Sequence, residues 1–358
     1  MIYAYVGSKT KGEARGAGIT VFRIREDHRW EEIQQIKAEE NPGYQVLDHQ
    51  GEFLYSVHDG VNKATSYQIL AGGKLQHLNT IDLPGENPVY ITVDHSNQFL
   101  VTACFSSGHV FVIRREADGR LGDIVHQTVI AGKSEESSSA AHQCTWDRWG
   151  NYLFVPTQNR QGGYSQVKVF AFDEGDGSLT ETDTYMAREW DEPRHLTVHP
   201  NNRFVYLLNE KGNSMTFLSF DEKRGKLKPL QILPSLPETY SGQNKASAVA
   251  ITESGEYVLA ANRCHDSIVV YRVDQNTGYL RVLGWYPTLG RTPRFAGFLP
   301  GTEHFYAANK ESDSIVEMTL DKETGLMGYT GQVIRVGEPY CITFRKDHQP
   351  RMEDTMLE

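Results

Sequence analysis

Paired-cysteine patterns are missing from this chain. Its four cysteines, Cys104, Cys144, Cys264 and Cys341, are scattered through 358 residues without a CxxC pair, which sets aside a disulfide framework and a thiolate zinc site. They read as small buried residues of a reducing compartment. No apolar run approaches the ~18 residues that a membrane helix needs. The start, MIYAYVGSKT, turns polar after Gly7 and does not read as a secretion signal. A cytoplasmic protein without membrane contact is expected. Long basic runs are lacking and the formal net charge is −10, so nucleic acid is not an expected partner. An HExxH helix, an EF-hand loop, a P-loop, a GxGxxG turn and a GxSxG elbow are also absent. Nothing therefore signals a metal, a nucleotide or a serine nucleophile, and neither a cofactor nor a metal is expected.

What is present is a repeat. Apolar strands ending in a polar residue recur as IYAYVG at 2–7, FLYSVHD at 53–59, FLVTACF at 99–105 and YLFVPTQN at 152–159. They continue as FVYLLNE at 204–210, YVLAANR at 257–263 and FYAANK at 305–310. The seven copies lie roughly 46 to 53 residues apart, the period of a propeller or solenoid. A further strand follows each copy, as in SMTFLSFD at 214–221 and SIVVYRVD at 267–274. A Gly-containing turn and a Leu come next, as in NTGYL at 276–280. Four antiparallel strands per repeat describe a β-propeller blade, and no helical periodicity competes. The expected fold is all-β, a single seven-bladed propeller over 1–344, followed by a charged, frayed tail over 345–358. EPYCITF at 338–344 has no partner of its own. It is expected to supply the inner strand beside residues 2–7 and so close the ring, removing two exposed sheet edges.

Inner strands are expected to begin near Pro42, Pro88, His142, Pro193, Ala246, Pro293 and Pro339. Their starts and the ends of the second strands share one face, because paired strands run antiparallel. That face gathers His142, Arg194, His195, Glu210, Arg263, Arg294, Lys310 and Tyr340 around one mouth. The hairpin DEPRHLTVHPNNRFVYLLNEKGN at 191–213 alone brings Arg194 and Glu210 to one edge. Guanidinium forks match carboxylate or phosphate geometry, and a carboxylate or imidazole offers acid–base chemistry near neutral pH. The competing bland reading is a set of salt bridges between blades. His195 alternates with Arg194 and is expected to pack between blades more than to touch a ligand. His199, Asp147 and Trp149 fall in turns of the opposite face and read as structural. The Ser-rich stretch GKSEESSSA at 132–140 precedes His142 and reads as either a flap over the mouth or a plain surface loop.

These residues resemble the seven-bladed propeller lactonases, the family of the propeller-type 6-phosphogluconolactonases, whose superfamily also holds carboxy-cis,cis-muconate cyclase. The resemblance covers about 1–344 and rests on PRHLTVHPNNRFVYLLNE at 193–210 and AITESGEYVLAANR at 250–263, with TPRFAGF at 292–298 and NYLFVP at 151–156. It implies a metal-independent lactonase acting on a sugar-acid or related carboxylated lactone, with His142, Arg194, Glu210 and Arg263 as the catalytic residues. By their place on the rim, Arg294, His195, Lys310 and Tyr340 are expected to bind substrate. Either Glu210 or His142 would be the base. Two departures border the expected pocket: Ala140-Ala141-His142 stands where relatives carry His-Pro-His, and TQNRQGGYSQ at 157–166 replaces an acidic segment. A lactonising isomerase and a non-catalytic binding platform are the alternative readings.

Overall fold

The structure is a computed structural model and describes residues 1–37 and 39–347. Among these residues, the strands form seven antiparallel sheets of four, and the inner strand of one sheet is split into Ala140–Ala141 and Thr145–Trp146. Second strands such as Phe204–Asn209 are buried along their whole length. Each is flanked by a neighbouring blade on both faces, which favours unbroken apolar runs over alternation. Outer strands such as Lys226–Pro234 have a largely exposed pattern, so charge is tolerated there.

The hydrophobic core is correspondingly not one body but seven layers, one between each pair of adjacent blades. Tyr206, Leu208 and Phe217 of one blade, for example, pack on Val258, Val269 and Tyr271 of the next. The recurrent Gly-then-Leu turns fit into these seams. Gly278 has φ +82°, and a Cβ there would meet the Phe217 ring at 2.4 Å. The Tyr206 hydroxyl donates to the Gly278 carbonyl at 2.9 Å, so the tight turn of one blade fastens its neighbour.

The ring closes as the sequence implies. Strand Pro339–Lys346 pairs antiparallel with Ile2–Ser8, in a register that sets Tyr3 against Arg345, Tyr5 against Thr343 and Gly7 against Cys341. The strand runs beyond Phe344 through Lys346, so Arg345 and Lys346 belong to the propeller and not to the tail. The rest of the expected tail, 348–358, lies outside the described residues. The seam so closed has its own core layer, in which Ala4, Val6 and Ile342 meet Tyr306 and Ile315. No helix among the described residues is long and apolar enough to cross a membrane.

A register shift recurs on every inner strand. Pro193 faces Asn209 while His195 faces Leu208, which leaves Arg194 as an extra residue. The same insertion falls on Gly43, Val89, Arg294 and Tyr340. It recurs between Ala246 and Val249, and between Ala141 and Thr145. A β-bulge bends its strand and re-aims a side chain, here at the end of the strand that opens the mouth.

If the closing strand carries its share of stability, Ile342→Ala should cost about 2–4 kcal/mol, the range for a buried Ile truncated in a tight core. Denaturant unfolding beside Ile315→Ala measures it. A loss within the noise of a surface substitution would show that the seam contributes little.

Candidate active site

The bulges determine which side chains reach the mouth. Strict alternation would send Arg194 and His195 to opposite faces of their sheet. With Arg194 as the inserted residue, both turn to the channel. His195 therefore does not pack between blades: its ring lies 5.2 Å from His142 and 5.6 Å from Tyr90, centroid to centroid. Pro-Arg thus reads as a device that delivers a guanidinium to the channel, used twice, at Arg194 and Arg294.

Glu210 follows strand Phe204–Asn209 and is only 5 % exposed. Arg160 and Arg263 each place an Nη2 on its Oε1, at 3.0 and 3.1 Å. Arg194 Nε lies 3.1 Å from Oε2, and the Gln158 amide donates to Oε2 at 3.3 Å. Burial alone would push this carboxyl up, but the Arg263, Arg194 and Arg160 guanidiniums outweigh it and hold it at about 2. Arg194 is itself pinned by donation from Nη1 to the Ser247 carbonyl. Its Nε is close to Glu210 yet makes no in-line hydrogen bond, so that N–H keeps donor capacity.

His142 lies in the gap between the two pieces of the split inner strand, with Phe105 on one side of the ring and His195 on another. Burial first, then the Arg194 and Arg294 charges, push the imidazole well below its ordinary pKa. It is neutral at pH 7, and its buried Nδ1 has no protein partner. His195 is lowered in the same way, by burial and by Arg194. Tyr44 and Tyr90 stack at 4.0 Å beside it, and burial raises both phenols, which stay protonated donors.

Two connected cavities result. One, of about 190 Å³, is lined by His142, Arg160, Arg194, Glu210, Lys245, Arg263, Arg294, Phe105 and Asp59. Below it a channel of about 210 Å³ shares His142, Arg194 and Arg294 and adds Tyr44, Tyr90, His195 and Tyr340. Seven of the eight side chains placed at the mouth by the sequence line one or the other. Lys310 does not. It begins the short turn Lys310–Ser312 and lies on Tyr340, with Nζ 5.7 Å from the ring centroid. Arg294 takes the nearer position over Tyr340, at 4.3 Å, and pairs with Asp59 at 3.3 Å.

Several groups were not visible in the sequence. Arg160 sits in the irregular turn Arg160–Gly162, outside every repeated strand, and binds both Glu210 and the buried Glu192. Lys211 also pairs with Glu192. The only signal was the departure of TQNRQGGYSQ from the family pattern. Stretch 132–140 lines neither cavity and is no flap. The Lys133 N–H donates to the Gly162 carbonyl, and Ser139 Oγ accepts from the Tyr164 N–H, so it braces the turn that carries Arg160. His199 and Asp147 are structural as expected: His199 Nδ1 accepts from the Asn201 N–H and Asp147 Oδ1 from the Tyr152 N–H.

With this geometry in hand, comparison with known proteins is informative. The family model described as "Lactonase, 7-bladed beta-propeller" matches residues 3–344. The chain belongs to the seven-bladed propeller lactonase family. A 6-phosphogluconolactonase of Bacillus subtilis is 30 % identical over 308 residues, 84 % of this chain and 86 % of that protein. The periplasmic gluconolactonase of Pseudomonas aeruginosa superposes with a TM-score of 0.87 at 26 % identity, covering 96 % of this chain and 99 % of that one. A protein from Bacteroides fragilis, 24 % identical with a TM-score of 0.84, shares the fold.

The clamp on Glu210 makes a stability prediction. Glu210→Gln leaves the buried Arg194 and the half-buried Arg263 without their counter-charge, and breaking a buried pair costs about 3–5 kcal/mol. Wild-type stability should also decline as pH falls from the ordinary glutamate range toward 2, since the folded carboxyl is depressed and protonation favours the unfolded chain. Thermal unfolding of wild type and variant at pH 7 and pH 3 tests both. Equal midpoints at pH 7 would contradict the clamp.

Proposed function

We propose that this lactonase-family protein hydrolyses an anionic sugar-acid lactone, of the 6-phosphogluconolactone kind, at the mouth built around Glu210. The observation that carries the reading is a local inversion of charge. Overall the chain is acidic, at −10. At this mouth, five cations (Arg160, Arg194, Lys245, Arg263 and Arg294) stand around two carboxylates, Asp59 and Glu210. Such a cleft attracts an anion and focuses the field on it. The names of the relatives, a 6-phosphogluconolactonase and a gluconolactonase, support the substrate class.

The roles follow from the charges. Glu210, paired with Arg160, Arg194 and Arg263, acts as the counter-charge that fixes the arginines. His142 is neutral and offers a free Nδ1. It takes a proton from water as the water oxygen bonds to the lactone carbonyl carbon. Arg194 and Arg263 hold the developing oxyanion, and such preorganised donors contribute roughly 3–4 kcal/mol each in comparable sites. The intermediate then collapses, the ring C–O bond breaks, and His142 returns its proton to the departing ring oxygen. The product is the open hydroxy acid. Lys245 and Arg294 flank the cavity and would hold a remote phosphate or carboxylate. The Cys104 and Cys341 thiols play no part: burial pushes them up to about 12. The cations that bind the anion are guanidinium and ammonium groups, so no step calls for a metal. Four free cysteines suit a cytoplasmic setting.

A pH-stat assay on 6-phosphogluconolactone and gluconolactone, corrected for spontaneous opening, tests this. His142→Ala should lower kcat by about 10²–10⁴-fold, the usual contribution of a positioned acid–base group, and Arg294→Ala should lower kcat/KM more for the phosphorylated lactone. The depressed imidazole stays unprotonated as pH falls through 6.5, so the acid limb of kcat/KM should lie well below that pH. No turnover above the spontaneous rate would overturn the reading. An acid limb at 6.5, or full activity in His142→Ala, would overturn the assignment of the base.

A further inference from the structure

On the far side of the ring from the mouth, His304 and Glu317 on paired strands of the last blade meet His28 of the first blade where the two blades join. Glu317 lies within strand Ser314–Leu320 of the last blade and is only 2 % exposed. Among the described residues it has no lysine or arginine partner, and its ionic neighbours are two imidazoles. His304 Nδ1 is 2.9 Å and His28 Nδ1 is 3.6 Å from the same oxygen, Oε1. Both nitrogens are buried from solvent and neither makes a hydrogen bond. The rings stack with centroids 4.1 Å apart and planes 27° from parallel.

A buried carboxylate needs a compensating charge, and here nothing permanent supplies it. We propose that His28, His304 and Glu317 bind one divalent transition-metal cation of the zinc type, which ties the first blade to the last. The donor set is two imidazoles and a carboxylate, the nitrogen and oxygen ligands that zinc accepts. Zinc bonds of about 2.0–2.1 Å in a tetrahedron separate neighbouring ligand atoms by about 3.3 Å, and the two measured separations lie on either side of that value. The outer shell is present as well. The Tyr306 hydroxyl donates to Glu317 Oε1 at 2.7 Å and the Thr330 hydroxyl to Oε2 at 2.8 Å, which orients the carboxylate as metal sites require. His28 sits at φ +63° in the turn between Ile19–Ile24 and Trp30–Ile36, and its carbonyl accepts from Gln332 of the last blade at 2.7 Å. The turn is thus anchored to the last blade independently of the imidazole.

The site uses none of the residues at the mouth, so it is a structural fastener and not part of lactone chemistry. It lies beside the seam that the closing strand completes, where a bridge resists opening of the ring. Because the cation would bind the folded chain alone, it raises the unfolding midpoint with concentration.

Full-length protein, stripped with a chelator and dialysed, is titrated with zinc chloride in competition with a chromophoric chelator. Thermal unfolding is followed in parallel. The expected result is one zinc per chain and an unfolding midpoint that rises by several degrees. His28→Ala and His304→Ala should each weaken binding by about a hundredfold or more, since even outer-shell losses reach that size, and should abolish the thermal shift. Lactone turnover by His28→Ala should match wild type with or without zinc. Zinc bound by His28→Ala as tightly as by wild type, or lost instead in His142→Ala, would overturn the proposal. So would wild type that takes up no zinc.

Discussion

One buried carboxylate organises the mouth of this propeller. Glu210 accepts from Arg160 and Arg263 on one oxygen and faces Arg194 and Gln158 on the other. Without that negative charge the guanidiniums would repel one another in a site with little water to screen them. With it, they are fixed before any ligand arrives. Preorganisation of this kind is what makes donors effective toward a developing charge, because no reorientation is needed during reaction. In the proposed reaction the clamped Glu210 does no acid–base work, and that task falls to the neutral imidazole of His142. The group that looks most reactive in the sequence is in this account the scaffold.

The frame that presents these groups is uniform, and the chemistry comes from small departures in it. Each inner strand carries one inserted residue near its start. In different blades that position is Gly43, Val89, Arg194, Arg294 or Tyr340. The early blades therefore offer small or apolar walls, and the later ones offer charge. A functional mouth on one half of the ring follows from which side chain occupies a position that all blades possess. Closure matters for the same reason. The core is seven interblade layers, and the layer containing Ile342 exists only when the last strand pairs with the first.

The fold was legible because a strand motif repeated seven times leaves few architectures, and because EPYCITF lacked any other partner. The bulk of the site was legible because it sits at equivalent positions of that repeat: Arg194, Glu210, Arg263 and Arg294 all lie at strand ends. What escaped lies where the repeat fails. Arg160 is in an irregular turn, and Asp59 and Lys245 differ from their equivalents only in side chain. Lys310, at the start of the turn Lys310–Ser312, lines neither cavity. His195 was assigned to the wrong surroundings because simple alternation ignores the bulge at Arg194. His28, His304 and Glu317 could not be found by spacing at all, since ring closure alone makes residues at opposite ends of the chain neighbours.

The central claim is that the guanidiniums held by Glu210 receive an anion beside His142. A crystal structure of the protein with 6-phosphogluconate, the opened product of the proposed reaction, addresses it directly. The account predicts the product at the mouth, an anionic group on Arg194 and Arg263, and the C1 carboxylate within hydrogen-bond reach of His142 Nδ1. Product bound on the opposite face, or at the mouth with His142 turned away and the arginines uncontacted, would contradict it.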